Sequence, residues 1–117
     1  NWKFYGRFSG ALLAQTKFVA LFDDDTIPGS LWFENCLTTH ATHPGILGGV
    51  GVQLKEERYY GHHRVGWSNP NLEITEVDLV GHAWFMEWNM GLMRKQRHDQ
   101  TTIKFFIRSE ITVLRTL

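Results

Sequence analysis

Phe18-Val19-Ala20-Leu21-Phe22 is an uninterrupted apolar run that ends abruptly in Asp23-Asp24-Asp25. A run of this length without polar alternation suits a strand buried on both faces, as in a parallel α/β sheet. In open α/β sheets ligands bind beyond the carboxyl ends of the strands, and the three aspartates stand at that end. This junction of strand and acidic turn constrains the chain more than any other feature.

The flanking segments fill in an α/β order. Phe8 to Gln15 reads as a short helix, with Phe8, Leu12 and Leu13 on one face. After the aspartates, Pro28 stands where a helix would begin, since its fixed φ and missing N–H suit a first turn. That helix is expected to run to about His40, burying Trp32, Phe33, Cys36 and Leu37, and to end at His43-Pro44-Gly45. Ile46 to Leu54 reads as a second buried strand whose glycines allow another backbone or a ligand to come close. Lys55 to Asn71 reads as a hairpin or long loop over the sheet edge, and Ile74 to Val80 as a third strand. A helix is expected through Ala83-Trp84-Phe85-Met86 to Met93. From Arg94 the composition turns polar and basic, and Thr102 to Leu117 is strand-like. The expected fold is therefore an α/β sandwich with one central mixed sheet flanked by helices. Residues 1–93 form its core, and 94–117 are a divergent, strand-forming tail.

Composition excludes several classes. Twelve basic residues balance twelve acidic ones in 117 residues, so nothing in the net charge favours nucleic acid or an anionic membrane. The single Cys36 excludes an internal disulfide framework and a cysteine-rich zinc site. The longest clearly apolar run, Ile46 to Val52, holds seven residues where a bilayer span needs roughly 20. No signal-peptide pattern opens the chain, which together with the lone cysteine favours the cytoplasm, and the absence of an initiator Met suggests a start within a longer gene. Five Trp, eight Phe and three Tyr serve first as core volume, and their number also favours a cleft in which rings stack on sugars or bases.

Three adjacent carboxylates repel one another, so something must offset their charge. Along a strand end, i and i+2 point the same way, which places Asp23 with Asp25 and Asp24 apart. Two such oxygen ligands suit Mg²⁺ or Mn²⁺, which keep several waters and draw other ligands from phosphates. The alternative is capping, since Asp before a helix satisfies free N–H groups and meets the positive dipole end. For Trp84 and Phe85 the alternative to a sugar platform is core packing. For His82 a metal or phosphate contact stands beside simple satisfaction by backbone. His62-His63 has no partner at zinc-ligand spacing.

The segment Phe18 to Gly29, with its Asp23-Asp24-Asp25 turn, resembles the strand and "DxD" turn of GT-A-fold, family 2-like nucleotide-sugar glycosyltransferases. The following Trp32 helix, Gly48-Gly49-Val50-Gly51-Val52, and Val77-Asp78-Leu79-Val80-Gly81-His82-Ala83-Trp84-Phe85 are similar to the family's next segments. The resemblance covers roughly residues 1–90 in order. It implies a partial GT-A-like domain, incomplete at both ends, that transfers sugar from a UDP- or GDP-linked donor to a carbohydrate hydroxyl. By the same resemblance Asp23 and Asp25 hold Mn²⁺ or Mg²⁺, and Asp24 assists at the donor's ribose or at the metal. Asp78, Gly81, His82, Trp84 and Phe85 would then shape the acceptor side. The family's acidic Glu/Asp-Asp motif, which carries its catalytic base, has no match in Arg94 to Ile107. Asp99 and Glu110 are isolated and Glu87 comes too early, so the base is unassigned. Two alternatives accompany this reading. One is a non-catalytic module binding carbohydrate or nucleotide. The other is a fragment whose unpaired sheet edges make a homo-oligomer, with the 102–117 tail crossing to a neighbour.

Overall fold

The apolar run is the first strand, β1 (Phe18–Phe22), and both of its faces are covered. Residues 5–56, 58–66, 73–88, 104–107 and 113–115 are described by a computed structural model. Phe18, Ala20 and Phe22 point toward Trp32, Cys36, Leu47, Ala83, Phe85 and Phe106. Val19 and Leu21 point the other way, toward Ile46, Met86, Ala11 and Ala14. Two apolar faces leave no position for a polar residue, which explains the missing alternation.

Two helices provide the covers. The first, α1 (Tyr5–Ala11), begins and ends earlier than the pattern from Phe8 to Gln15 predicts. Phe8 is 40% exposed and Leu13 84%, so the apolar stripe that marked the later register is largely outside the core. The second, α2 (Trp32–Thr42), starts after Pro28. Pro28 instead ends a short strand, β2 (Thr26–Pro28), whose fixed φ also suits an edge pairing. The buried stripe of α2 is Trp32, Cys36, Thr39 and His40, not the expected set with Phe33 and Leu37. Those two remain about half exposed, because the helix sits with the smaller Thr39 and the flat His40 ring against the sheet. His40 meets Phe18 and Phe85 edge-on.

The run from Ile46 to Leu54 divides into β3 (Ile46–Gly48) and β4 (Val50–Lys55), which lie in different sheets. A Cβ on Gly48 would stand 2.3 Å from Val80 Cγ1 and 2.8 Å from the Ala83 carbonyl oxygen. The glycine is therefore needed for backbone to pass close to backbone as the chain changes sheets. Within the segment expected as a hairpin or long loop, β5 (Arg58–Val65) is one arm of a hairpin whose other arm is β4, from the preceding run, and 67–71 lie outside the described residues. Ile74 to Val80 also divides, into β6 (Thr75–Val77) and β7 (Leu79–Gly81), with Asp78 at the break.

The segment expected to open a helix at Ala83 is instead the strand β8 (Ala83–Glu87). It pairs antiparallel with all of β1, from Phe18 opposite Glu87 to Phe22 opposite Ala83, and with β3 at Leu47 opposite Phe85. This pairing buries Phe85 and Met86 on opposite faces, and tertiary packing overrides a composition that a helix would also tolerate. The rest of the expected helix, from 89 to 93, lies outside the described residues.

Two strands come from the tail. β9 (Phe105–Ile107) pairs parallel with β3 and antiparallel with β6, and β10 (Val113–Arg115) pairs antiparallel with β2. Both pairings join the tail to the body of this chain. The five-stranded sheet thus runs β1-β8-β3-β9-β6 and is mixed, beside a three-stranded β5-β4-β7 sheet and the β2–β10 pair. The result is a compact α/β fold with few helices. No helix among the described residues is long and apolar enough to cross a membrane.

Candidate functional site

Asp23 closes β1. Its N–H donates to the His82 carbonyl at 3.0 Å, and its own carbonyl accepts the Thr26 N–H at 3.1 Å. The second bond makes Asp23 to Thr26 a tight turn with Asp24 and Asp25 at its exposed tip. The strand alternation that would set Asp23 beside Asp25 therefore stops at Asp23. The turn does not cap α2, whose N-cap is Leu31, so the capping reading fails for all three aspartates.

The charge of Asp23 is offset from two directions. The Arg7 guanidinium, on α1, forms an ion pair with its Oδ1. His82 Nδ1 lies 3.4 Å from Oδ2. Arg7 also stands over the Trp84 ring, 5.7 Å from its centroid, while Phe8 meets that ring edge-on at 5.5 Å. The indole N–H of Trp84 donates to the Val80 carbonyl at 2.9 Å, which fixes the ring across the base of the β7–β8 turn. Arg7 is the residue that sequence reasoning missed. The signal available was the demand for an offsetting cation near three aspartates, but 16 residues of chain separate the partners.

His82 adopts φ 68°, left-handed backbone that non-glycine residues seldom occupy. That conformation turns the chain from β7 to β8 and presents the imidazole to Asp23. Beside it, a Cβ on Gly81 would meet nothing within 4 Å, so open space adjoins the turn.

The other residues expected at the acceptor side divide. Phe85 is 2% exposed and packs against Phe18 and Trp32, so it belongs to the core and offers no platform. Trp84 is half-buried, with Arg7 and Phe8 on it. Asp78 stands at the far end of β7 from His82, where its carboxylate accepts the Leu54 N–H at 2.7 Å. Glu87 stands opposite Phe18, at the far end of β1 from Asp23, and its carboxylate lies 3.8 Å from His40 Nε2. His62 accepts a hydrogen bond from Arg64 at 3.1 Å.

Among the described residues, no three His, Cys, Asp or Glu side chains come together as a metal cage. The turn nevertheless presents hard oxygen donors at its exposed tip, the set that Mg²⁺ or Mn²⁺ uses when water and phosphate complete its shell. Those donors are the Asp24 and Asp25 carboxylates at the tip; Asp23, at the base, is already paired with Arg7. No family model, curated protein or solved structure matches the chain.

Proposed function

We propose that the Asp23–Asp25 turn, His82 and Trp84 form the donor end of a GT-A-like glycosyltransferase site. Its reaction is metal-assisted transfer of a sugar from a UDP- or GDP-linked donor to a carbohydrate hydroxyl. One observation carries the reading. The two segments singled out by the resemblance, 23–25 and 81–84, lie far apart in sequence yet meet through the hydrogen bond from Asp23 N–H to the His82 carbonyl. The left-handed backbone of His82 supports it, because residues held in such conformations gather at binding and catalytic sites.

The roles follow from the chemistry. Asp25 and Asp24 provide carboxylates for the cation and the ribose hydroxyls, and Asp23 anchors the turn to β8 while orienting His82. A bound Mg²⁺ or Mn²⁺ supplies offsetting charge to the diphosphate leaving group as the glycosidic bond breaks. Trp84, half-buried with Arg7 over its ring and Phe8 at its edge, would provide the aromatic ring that stacks on a sugar.

A second reading is a module that binds nucleotide or carbohydrate without turnover. It is favoured by the positions of Glu87, at the opposite end of the sheet, and of Asp78, whose carboxylate is engaged with Leu54. Neither carboxylate stands at the turn to act as the acceptor's base. Incubation with UDP- and GDP-sugars, with and without Mn²⁺, separates the two. Release of nucleoside diphosphate only with metal, lost in Asp25→Asn, supports the transferase. Binding with no release supports the module, and neither outcome with any donor sinks both.

A further inference from the structure

We propose that the outer edge of β1 pairs antiparallel with the same edge of a second copy of the chain, joining two sheets across a two-fold axis at Ala20. The inference stands apart from the transferase reading and does not depend on it.

The groups left for such a pairing follow from the ladder. β1 and β6 are the two ends of the five-stranded sheet. On its inner side β1 bonds to β8. Trp88 N–H donates to the Lys17 carbonyl at 2.8 Å, and Asp23 N–H to the His82 carbonyl at 3.0 Å. With Val19 opposite Met86 and Leu21 opposite Trp84, the odd-numbered residues hold this antiparallel ladder. The N–H and carbonyl groups of Phe18, Ala20 and Phe22 therefore point away from the sheet. The Phe18 carbonyl accepts the Thr16 hydroxyl at 2.7 Å, and no strand pairs with β1 on that side among the described residues. Edges of this kind are ordinarily guarded by charge, proline or a bulge. β6 is guarded, with Glu76 paired to Lys104 and the Glu76 carbonyl taken by the Gln53 amide. β1 has five apolar residues and no such guard.

The run fits itself. Phe18-Val19-Ala20-Leu21-Phe22 reads nearly the same in both directions. Turned antiparallel on a second copy with Ala20 opposite Ala20, it sets Phe18 against Phe22 and Val19 against Leu21, each twice. Phe18, Ala20 and Phe22 then exchange their outward N–H and carbonyl groups, because all three lie at hydrogen-bonding positions of that register. A slip by one residue would set outward groups against inward ones. One residue beyond the run, Lys17 stands opposite Asp23 of the other copy, so unlike charges close both ends of the pairing. Phe33, half exposed on α2, already meets Phe22 edge-on with centroids 6.3 Å apart. The pairing brings Phe18 of the second copy beside Phe22 and extends this aromatic cluster across the two-fold.

Sedimentation equilibrium of the wild-type chain from about 1 μM to 1 mM is expected to show monomer and dimer in exchange, since one strand pair is a small interface. Ala20→Pro removes an N–H that β1 does not use toward β8, in an edge strand where proline is tolerated. It is expected to weaken the dimer about tenfold. Lys17→Glu, at an exposed position, sets like charges opposite at both ends and is expected to weaken it about fivefold, less at high salt. Amide exchange at Ala20 and Phe22 is expected to slow as concentration rises through the dimerisation range, while exchange at Leu21, bonded to β8, is unchanged. A chain that is monomeric throughout overturns the proposal. So does a dimer in which the Ala20 and Phe22 amides exchange as fast as in the monomer, or one that Lys17→Glu leaves intact. Protection of those amides in the monomer also overturns it, by showing that the chain covers its own edge. Should Ala20→Pro fail to fold by circular dichroism, Lys17→Glu and the wild-type exchange data decide.

Discussion

Gly48→Ala and Gly10→Ala are expected to change stability in opposite directions, and the difference follows from what each new methyl would meet. At Gly48 the Cβ stands 2.3 Å from Val80 Cγ1, about 1 Å inside ordinary contact, and 2.8 Å from the Ala83 carbonyl oxygen. Val80 is β-branched and buried, so its side chain has no easy rotamer in which to retreat, and the carbonyl belongs to backbone. Overpacking of this kind costs about 1–3 kcal/mol. In a domain near this size that is a fall in Tm of roughly 5–15 °C. Val80 and Ala83 bracket the Gly81-His82 turn, so the strain is delivered to the hydrogen bond between Asp23 N–H and His82. At Gly10, within α1, the added methyl meets nothing within 4 Å, and replacing glycine in a helix stabilises by about 0.5–1 kcal/mol. Urea unfolding by circular dichroism measures both changes, and amide exchange at Asp23 reports the strain locally. Gly48→Ala within about 0.5 kcal/mol of wild type would refute the reasoning that β3 is pressed against the β7–β8 turn.

Two further outcomes follow from buried groups. Burial holds the His40 imidazole below its ordinary pKa of 6.5, with Glu87 opposing that effect and Lys17 adding to it. Between the lowered value and 6.5 the unfolded chain binds more protons than the folded one, so stability falls as pH drops through this window. His40→Gln is expected to flatten the change in urea midpoint between pH 7.5 and 5, and an unaltered slope would contradict this. Burial also pushes the Cys36 thiol well up from its usual range, leaving it protonated and shielded. Iodoacetamide is expected to leave it unmodified in the native chain and to label it in urea; rapid native labelling would show that α2 is not packed as described.

What the sequence revealed depended on whether the deciding interactions were local. β1 was legible because both its faces are apolar, and the hairpin at β4–β5 because polar and glycine residues mark it. The register of α2 was not legible, since its buried stripe includes Thr39 and His40 while Phe33 and Leu37 stay half exposed. Hydrophobicity ranks those residues the other way. The β8 strand has no β-branched residue to announce it, and pairing with β1 and β3 decides its state. The breaks at Gly49 and Asp78 arise where strands change sheets, a property of packing rather than of either run alone. At the site, the aspartates and the Gly81-His82 turn could be singled out in sequence. The tight turn at Asp23 and the reach of Arg7 from α1 come only with the tertiary structure.

The central claim is that the acidic turn is the donor half of a nucleotide-sugar site. Calorimetric titration with UDP and GDP, each with and without Mn²⁺, tests it most directly. Metal-dependent binding of one nucleotide by the wild-type chain, lost in Asp25→Asn, is the expected result. Absence of binding by either nucleotide in the presence of Mn²⁺, or binding that Asp25→Asn leaves intact, would contradict it.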